Sequence, residues 1–540
     1  MGSWNRYDVH DPKGALMRAS SHTHRTGPAD SPWQSAEKRS SLFGIMLCVM
    51  LGPFINILDY NVVNVSLPKM MSGLATDVLT IRWVVTSFLI ATAVIMPTLG
   101  WLGRVLGNKN LYVLGLAVFT GATALCGMAP NISVLIVLRV IEGLGAGVLM
   151  PMSMVLMVEN YPPHKRGMGT ALWGLGASLG SVIGLPLGGY FADAVDWRAV
   201  FYVNVLPGGL AVLGTLLLVP ASSRERRVPF DVWGCVTLTV ALVSLLVALS
   251  QGQREGWDSL FILTLLTICV ASFGVFIVIE RHVGTPLVDI RLYTRGLYVK
   301  GTLVALAMGL FFHGSTFLSV LFAQLLLDFS VQRTALSLLP GSIAMVFTTP
   351  IVGWMLDRTD GRISMLLGLG IFSVCCFAMM RADLRIGFAY ITWIYIWRGI
   401  GLGFLYPPVY AVAIQGMPMT QTRAASSLLN LQVTLGGAFS VALLSTFIET
   451  RQTVHQVRFA ETQILTSVGT QQALATFEHL AQTLGAGATN VTSYALGLLH
   501  GVVRREALVH ALNDAFYAII LVAILSLGII VTMKTVRHNA

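Results

Sequence analysis

Fourteen long apolar segments constrain this chain more than any other feature. A helix needs about 20 predominantly apolar residues to cross the hydrocarbon core of a bilayer. Inside lipid every backbone polar group must be bonded within the protein, which leaves only helices or a closed barrel. The segments lack the strict alternation of barrel strands, so we predict helices. The predicted spans lie near residues 42–67, 80–101, 110–130, 132–157, 168–191, 199–220, 232–250, 259–280, 298–326, 334–356, 363–382, 387–416, 424–448 and 512–533.

The composition is typical of an all-α integral membrane protein. Only 11% of the residues are charged, compared with roughly 25% in soluble domains. The six cysteines lie in apolar segments without metal-ligand spacing, so we predict neither a disulfide framework nor a metal site. We find no nucleotide-binding motif and no nucleophile paired with a base, so we expect no cofactor and no enzymatic activity. The basic residues that give the net charge of +10 flank the spans, which indicates a lipid bilayer as partner and no nucleic acid.

The distribution of Lys and Arg predicts the orientation. The short loops on the side of the N-terminus carry a clear excess of both residues, which marks the cytoplasmic side. Both termini are then cytoplasmic, in a multi-pass protein of the cell membrane. Residues 1–41 are polar and lack an apolar signal-peptide core, so we predict a disordered cytoplasmic tail. The long loop at about 449–511 then lies outside and forms a small extracytoplasmic cap.

An internal repeat divides the chain. EGLGAGVLMP (142–151) and RGIGLGFLYP (398–407) share the pattern G-x-G-x-G-x-x-x-P. GWLGR (100–104) and GWMLDR (353–358) recur at nearly the same offset, as do Arg166 and Arg423. We therefore predict a 6 + 2 + 6 arrangement, with parallel halves of a rocking-bundle transporter and a binding site between them. The predicted parts are an N-terminal six-helix bundle (42–220), two inserted linker helices (221–296) and a C-terminal six-helix bundle (297–540).

Glycines recur at fixed spacings in two of the spans. Small residues allow helices in lipid to approach closely, so these positions predict a structural packing seam. A hinge or a sliding face during the inward–outward switch is the functional alternative, and both can hold. The hinge or packing residues are Gly143, Gly147, Gly176, Gly180, Gly184, Pro186 and Gly188.

Several stretches together resemble one known family. The chain is similar to the fourteen-span drug:proton antiporters of the EmrB/QacA type in the major facilitator superfamily. The resemblance implies a major facilitator fold with 14 transmembrane helices and proton-coupled drug export. Some relatives work with a periplasmic adaptor protein and an outer-membrane channel. The stretches are LDYNVVNVSLP (58–68), WVVTSFLIATA (83–93), RVIEGLGAG (139–147), 173–189, DWRAVFYVNV (196–205) and DVWG from 231.

The chain departs from the family pattern at four positions. Glu142 replaces the usual Gln of the fourth-helix motif, which puts the proton stoichiometry in question. Leu185 separates the usual Gly-Pro pair, Gly103 stands where an acid is customary, and Val433 stands where an Arg is customary. These three departures concern details of gating rather than the fold.

Ionisable residues inside the spans are candidates for proton coupling, because placing them in lipid costs about 2.5–3.5 kcal/mol. Asp59 is the first candidate, since burial favours the protonated carboxyl group and a cationic substrate can compete with the proton. The alternative is a structural anchor that bonds Asn61 or Asn64. Arg139 and Glu142 are three residues apart and can pair. They either neutralise each other or, as the resemblance implies for Arg139, take part in proton coupling.

Polar and aromatic residues elsewhere in the spans are candidates for substrate binding. Each has the alternative role of packing against neighbouring helices. Arg398 matches Glu142 in the repeat, and we predict that the two face each other between the halves. The substrate-binding candidates are Asp59, Asn61, Asn64, Trp83, Phe312, His313, Arg398, Tyr406, Asn430 and Gln432.

These expectations lead to multidrug efflux by proton-coupled antiport of amphipathic or cationic small molecules across the cytoplasmic membrane, which is the inner membrane in a Gram-negative host. One alternative is a proton-coupled transporter of a dedicated metabolite or self-made antibiotic. A non-transporting sensor or a scaffold of an envelope complex is the alternative from another class.

Overall fold

Helices form nearly all of the chain that the computed structural model describes, namely residues 39–162, 165–222, 224–225, 228–462, 468–483 and 491–533. These ranges contain no β-strand. The chain divides into two compact units, Met1–Phe43 and Gly44–Ala540. In the first unit only the beginning of a helix, from Arg39, is described; the rest of the predicted tail lies outside the described residues. The second unit contains the remainder of that helix and all later ones.

Seventeen α-helices follow one another along the described ranges. They are α1 (Arg39–Gly73), α2 (Val78–Ile81), α3 (Trp83–Ile95), α4 (Leu99–Leu106), α5 (Asn108–Cys126), α6 (Ile132–Asn160), α7 (Arg166–Ala194), α8 (Ala199–Leu218), α9 (Val232–Glu255), α10 (Leu260–His282), α11 (Gly296–Leu321), α12 (Val331–Leu356), α13 (Gly361–Met380), α14 (Phe388–Ala413), α15 (Met419–Thr462), α16 (Val468–Thr483) and α17 (Val491–Val531).

Fourteen of the described helical segments are long and apolar enough to cross a membrane. One of them combines α3 and α4, which are joined through a 3-10 turn at Met96–Thr98. The prediction of an all-α protein with fourteen spans is confirmed. Several spans begin at a capping side chain; Asn131, for example, accepts a hydrogen bond from the backbone N–H of Val134 at 3.0 Å. Such caps satisfy amide groups that have no partner inside the helix.

The glycines of α6 allow this helix to pack closely between α3 and α5. A β-carbon at Gly147 would lie 2.6 Å from the carbonyl oxygen of Thr92 in α3. One at Gly145 would lie 2.6 Å from the backbone nitrogen of Phe119 in α5. The three helices therefore touch backbone to backbone, which is how helices associate in lipid.

The second copy of the glycine pattern packs in the corresponding way. Gly399 lies against the backbone of Gly341 in α12. Gly401 lies against α13, where a β-carbon would come within 3.0 Å of the nitrogen of Phe372. The sequence repeat therefore corresponds to a structural repeat, with α14 between α12 and α13. The boundaries of the two six-helix bundles stay a prediction.

The second glycine series, in α7, lies along α1. β-Carbons at Gly176 and Gly180 would each come within 2.5 Å of a carbonyl oxygen of α1. Gly184 and Gly188 continue the same seam one and two turns further on, on either side of Pro186. These glycines lie at a close-packed face; their role as a hinge stays a prediction.

The two inserted helices differ in their surroundings. Helix α9 packs against α10, and also against α3 and α15, so it contacts both halves of the repeat. Helix α10 is largely exposed on the outside of the described helices. Most of its exposed residues are apolar, which suits a surface that faces lipid.

Two helices extend far beyond a bilayer. Helix α15 has 44 residues and α17 has 41, which correspond to about 60–66 Å of helix against a hydrocarbon core of about 30 Å. The carboxylate of Asp514 in α17 pairs with Arg451 of α15 at 2.6 Å and with His455 at 2.8 Å. The predicted loop at 449–511 is thus largely helical where it is described.

The two halves are in contact at the end of the molecule where α7 begins. The carboxylate of Asp357, at the end of α12, accepts hydrogen bonds from the backbone N–H groups of Gly167 (2.8 Å) and Met168 (3.1 Å). A β-carbon at Gly100 would lie 3.2 Å from the β-carbon of Ala424 in α15. The two halves are therefore in direct contact at this end in this conformation.

We predict that Gly145→Ala destabilises the protein by about 1–3 kcal/mol, because the added methyl group meets the backbone of α5. Thermal unfolding of the purified protein in detergent measures the effect as a lower Tm. The matched control is Gly274→Ala in α10, where no atom lies within 4 Å of the added carbon. Equal Tm values for the two variants would contradict this account of the α5–α6 contact.

Candidate functional site

One guanidinium is shared by two buried carboxylates at the centre of the first half. Arg139 Nη1 donates to Asp59 Oδ2 at 2.8 Å and to Glu142 Oε2 at 2.9 Å. The Arg139 side chain is 1% exposed and both carboxylates are 0% exposed. The three predicted proton-coupling residues therefore lie together.

Neutral groups also bond both carboxylates. Asn204 Nδ2 of α8 donates to Asp59 Oδ1 at 3.1 Å. Thr123 of α5 donates its hydroxyl to Glu142 Oε1, and Cys126 Sγ lies 3.3 Å from Glu142 Oε2. Neither Asn61 nor Asn64 bonds to Asp59; each donates to a backbone carbonyl four residues earlier in α1. The alternative in which these two amides anchor Asp59 is not found in this conformation.

Helix α3 completes the surroundings of Arg139. The Nε group donates to the backbone carbonyl of Val84 at 3.1 Å, and the guanidinium carbon lies 4.1 Å from the centre of the Phe88 ring. With both acids ionised, one positive charge faces two negative charges. Because an uncompensated charge in a low-dielectric interior is costly, the cluster favours binding one proton.

The local sequence explains why these groups meet. Arg139 and Glu142 are one turn apart on α6, so both project toward the same side. Asn56 of α1 donates to the carbonyl oxygen of Ala146 at 3.1 Å, which fixes the crossing of α1 over α6. Asp59 lies one turn further along α1 and so reaches Arg139.

Sequence reasoning missed the groups that surround the charged triad. Asn204 is a polar residue inside a span, and that signal could have identified it. Thr123 and Cys126 are three apart on α5 and share a face, but nothing in their spacing indicates Glu142 as the partner. Val84 contributes only a backbone carbonyl, which no side-chain pattern reveals.

A contact between α1 and α11 joins the two halves near this cluster. The ring of Tyr60, the neighbour of Asp59, meets the ring of His313 edge-on at a centroid distance of 6.0 Å. His313 in turn lies against Gly437 of α15, where an added β-carbon would come within 2.5 Å of the imidazole. Among the predicted substrate-binding residues, His313 is thus placed at the boundary between the halves.

Arg398 does not face Glu142, contrary to our expectation from the repeat. Its Nε donates to Ser315 Oγ at 2.8 Å, and its Nη2 donates to the carbonyl of Phe312 at 2.9 Å and to Thr316 Oγ1 at 2.6 Å. These partners all belong to α11. Glu142 points instead toward α5, because each residue turns into its own half of the molecule.

The other predicted binding residues lie in separate places. Tyr406 stacks on Trp173 of α7 at 5.7 Å and lies 5.4 Å from Tyr410. Tyr410 donates its hydroxyl to Asn430 Oδ1 at 3.1 Å. These residues form an aromatic contact between α7 and α14. Trp173 and Tyr410 belong to this contact but were not predicted from the sequence.

The last two candidates lie elsewhere. Trp83 is half-buried at the first residue of α3, and Gln432 lies beside Tyr293. The assignment of these side chains to substrate binding stays a prediction, since they do not meet at a single point in this conformation.

Comparison with known proteins identifies the family. Residues 49–441 match the Major Facilitator Superfamily. This chain belongs to the Major Facilitator Superfamily. It is therefore a multi-pass membrane protein of a transporter family, and the resemblance predicted from its motifs is confirmed.

Two relatives and one solved structure are similar over most of the chain. Multidrug export protein EmrB of Escherichia coli (strain K12) is 27% identical over 503 residues, covering 92% of this chain and 96% of EmrB. Fatty acid resistance protein FarB of Neisseria gonorrhoeae is 28% identical over 507 residues, covering 93% and 98%. The structure of the proton:xylose symporter XylE matches with a TM-score of 0.60 at 13% identity, covering 92% and 96%. The XylE match concerns the fold alone.

We predict that Arg139→Leu destabilises the protein by about 3–5 kcal/mol, because it leaves two buried acids without their cation. Adding Asp59→Asn and Glu142→Gln to this variant should restore most of the loss in Tm. Arg254→Leu serves as a control. Arg254 forms an exposed pair with Glu255 at 3.6 Å, so its loss should cost at most about 1 kcal/mol. A mild Arg139→Leu phenotype, close to that of the control, would show that the cluster is not held by charge.

Proposed function

We propose that this protein exports amphipathic small molecules across the cytoplasmic membrane in exchange for protons. The observation that carries the proposal is the sharing of one buried guanidinium by Asp59 and Glu142, because such a cluster takes up a proton to balance its charge. The names of the relatives EmrB and FarB support export as the direction of transport and drugs or fatty acids as the class of cargo.

Asp59 is the group that exchanges the proton in this mechanism. When Asp59 is ionised, its bond to Arg139 holds α1 against α6. A proton on Asp59 removes the negative charge and weakens that bond, since a charged hydrogen bond is roughly twice as strong as a neutral one. Tyr60 is the next residue of α1, so the same event loosens the contact with His313 in the other half. Proton binding is thereby coupled to the relative position of the halves.

Cargo affects the protonation of Asp59 by binding between the two halves, without contacting Asp59 itself. The Asp59 side chain has no exposed surface in this conformation, so a cationic drug reaches it only after α1 moves. Binding of cargo between the halves favours the arrangement in which Asp59 releases its proton. For an uncharged cargo, one proton that enters through 100 mV supplies about 2.3 kcal/mol, and the pH difference adds to it. For a monovalent cation the two charges cancel, and the pH difference alone drives the exchange.

The proposed orientation places both termini in the cytoplasm. The contact between Asp357 and the beginning of α7 then closes the cytoplasmic end, and uptake of a drug from inside requires that contact to open. The helices α15, α16 and α17 extend on the opposite side. In a Gram-negative host the protein would lie in the inner membrane, where these helices offer a surface to a periplasmic adaptor and an outer-membrane channel.

The proposed activity is transport, without an enzymatic reaction.

We predict that adding a transported drug to the purified protein in weakly buffered detergent solution releases about one proton per molecule. Asp59→Asn should abolish the release and reduce drug resistance of expressing cells to near the level of an empty vector, because the carrier of the proton is gone. Glu142→Gln should reduce the release without abolishing it, because Asp59 then faces Arg139 alone and the remaining pair is balanced in charge without a proton. A panel of lipophilic cations, fatty acids and neutral drugs identifies the cargo.

The control for this experiment is Glu255→Gln, which removes an exposed acid and should behave as the wild type. Release that persists in Asp59→Asn but disappears in Glu142→Gln would assign the proton to Glu142 and contradict the mechanism. Absence of release from the wild type with every compound of the panel would contradict proton antiport itself.

A further inference from the structure

The side-chain amide of Asn204 lies in the buried charge cluster with one of its two polar atoms unused. Its Nδ2 group donates a hydrogen bond to Asp59 Oδ1 at 3.1 Å. Its own Oδ1 atom is buried and has no hydrogen-bond partner in the described part of the chain. Asn204 has no exposed surface, and a buried acceptor without a partner is costly. The unused oxygen is thus available to a donor that is absent in this protonation state of the cluster.

The packing of α8 fixes the position of Asn204 but not the orientation of its amide. A β-carbon at Gly208, one turn after Asn204, would lie 2.9 Å from the methyl carbon of Thr120, so α8 packs closely against α5. The terminal torsion of an asparagine side chain has broad, roughly two-fold minima. Rotation of the amide by half a turn therefore exchanges Nδ2 and Oδ1 without any movement of the helix.

The partners of Asp59 determine which of its two oxygens can carry a proton. Oδ2 faces Arg139 Nη1 at 2.8 Å, and a guanidinium group donates hydrogen bonds but accepts none. A proton on Oδ2 would therefore meet a donor. Oδ1 faces the amide of Asn204. A proton on Oδ1 meets a donor in the present orientation of the amide, but it meets an acceptor once the amide has rotated.

We propose that Asp59 takes up its proton on Oδ1 and that Asn204 is the positioning residue for both protonation states. When Asp59 is ionised, Asn204 Nδ2 donates to its Oδ1 atom. When a proton from solution binds to this oxygen, the amide rotates, and Asn204 Oδ1 accepts a hydrogen bond from the new hydroxyl group. The inference rests on the proposed proton antiport and specifies the atom that carries the proton.

The other groups near Asp59 do not combine these two abilities. The charged and titratable groups are Arg139 and Glu142 of α6, Cys126 of α5, Tyr60 of α1 and, beyond Tyr60, His313 of α11. The amide of Asn204 differs from the Arg139 guanidinium because it is neutral and can donate or accept. Glu142 is the competing proton carrier, since the Thr123 hydroxyl that donates to it can also accept.

Infrared difference spectroscopy of the full-length protein in detergent tests the rotation. The protein carries an isotope label at the side-chain carbonyl carbon of asparagine, and spectra are compared at low and high pH. In the wild type, a labelled carbonyl band should move to lower wavenumber as the carboxylic acid band appears, because the amide oxygen gains a hydrogen bond. Asn204→Leu should lose this movement of the band.

Asn513→Leu is the matched control for both measurements. Asn513 of α17 donates to the carbonyl oxygen of Ala382 at 3.2 Å, and its Oδ1 atom is also buried without a partner in the described residues. It does not contact the charge cluster, so Asn513→Leu should keep the movement of the band. A movement that persists in Asn204→Leu, or a wild type in which no labelled band moves, would overturn the inference.

Proton release induced by a transported drug gives the second measurement. Asn204→Leu should release several-fold fewer protons than the wild type at the same pH, because the carboxylate that remains after release has lost a hydrogen bond. Asn513→Leu should match the wild type. Equal release from Asn204→Leu and wild type would contradict the role of Asn204 while leaving proton antiport intact.

Two further outcomes stay separate from these. If Asn204→Leu does not fold, the spectrum of the wild type alone decides, since the rotation requires a labelled band that moves on protonation. Absence of release from the wild type would contradict proton antiport, whereas the infrared comparison needs no drug and still tests the pairing of Asn204 with Asp59.

Discussion

The shared guanidinium of Arg139 is the interaction on which the first half of the molecule depends. Its own helix, α6, is linked through it to α1 by Asp59 and to α3 by the carbonyl of Val84. The two acids extend the network to α5 and α8 through Thr123 and Asn204. Five helices therefore meet at one charge cluster. In a low-dielectric interior such a network stabilises only while every member is satisfied, so the packing of these five helices depends on the cluster staying intact.

Glycine lets the helices around this cluster lie close together, so that the side chains of Asp59, Arg139 and Glu142 meet in one place. The α3–α6–α5 contact and its counterpart α12–α14–α13 are built on the same glycine pattern. The α1–α7 seam uses a second pattern, and α7 also reaches α12 of the other half. Helix α1, which carries Asp59, thus lies between the buried charges and the surface along which the halves meet.

The two halves repeat the backbone arrangement but not the electrostatics. In the first half the excess charge is negative, which suits the binding of a proton. In the second half the partners of Arg398 in the described residues are two hydroxyl groups and one backbone carbonyl of α11, without an acid. The repeat therefore preserves the packing of the helices but not the charge at equivalent positions.

The sequence by itself determined the fourteen spans, the repeat and the family. Hydropathy and glycine spacing are properties of short segments, and each segment enters the bilayer according to its own composition. It also identified Asp59, Arg139 and Glu142, since a charge in an apolar run is conspicuous. Only the tertiary structure decided which groups meet them. Asp59 and Arg139 are 80 residues apart, and the direction of a side chain depends on how its helix is rotated against its neighbours. The same rotation turned Arg398 toward α11 and away from Glu142, which no residue pattern specifies.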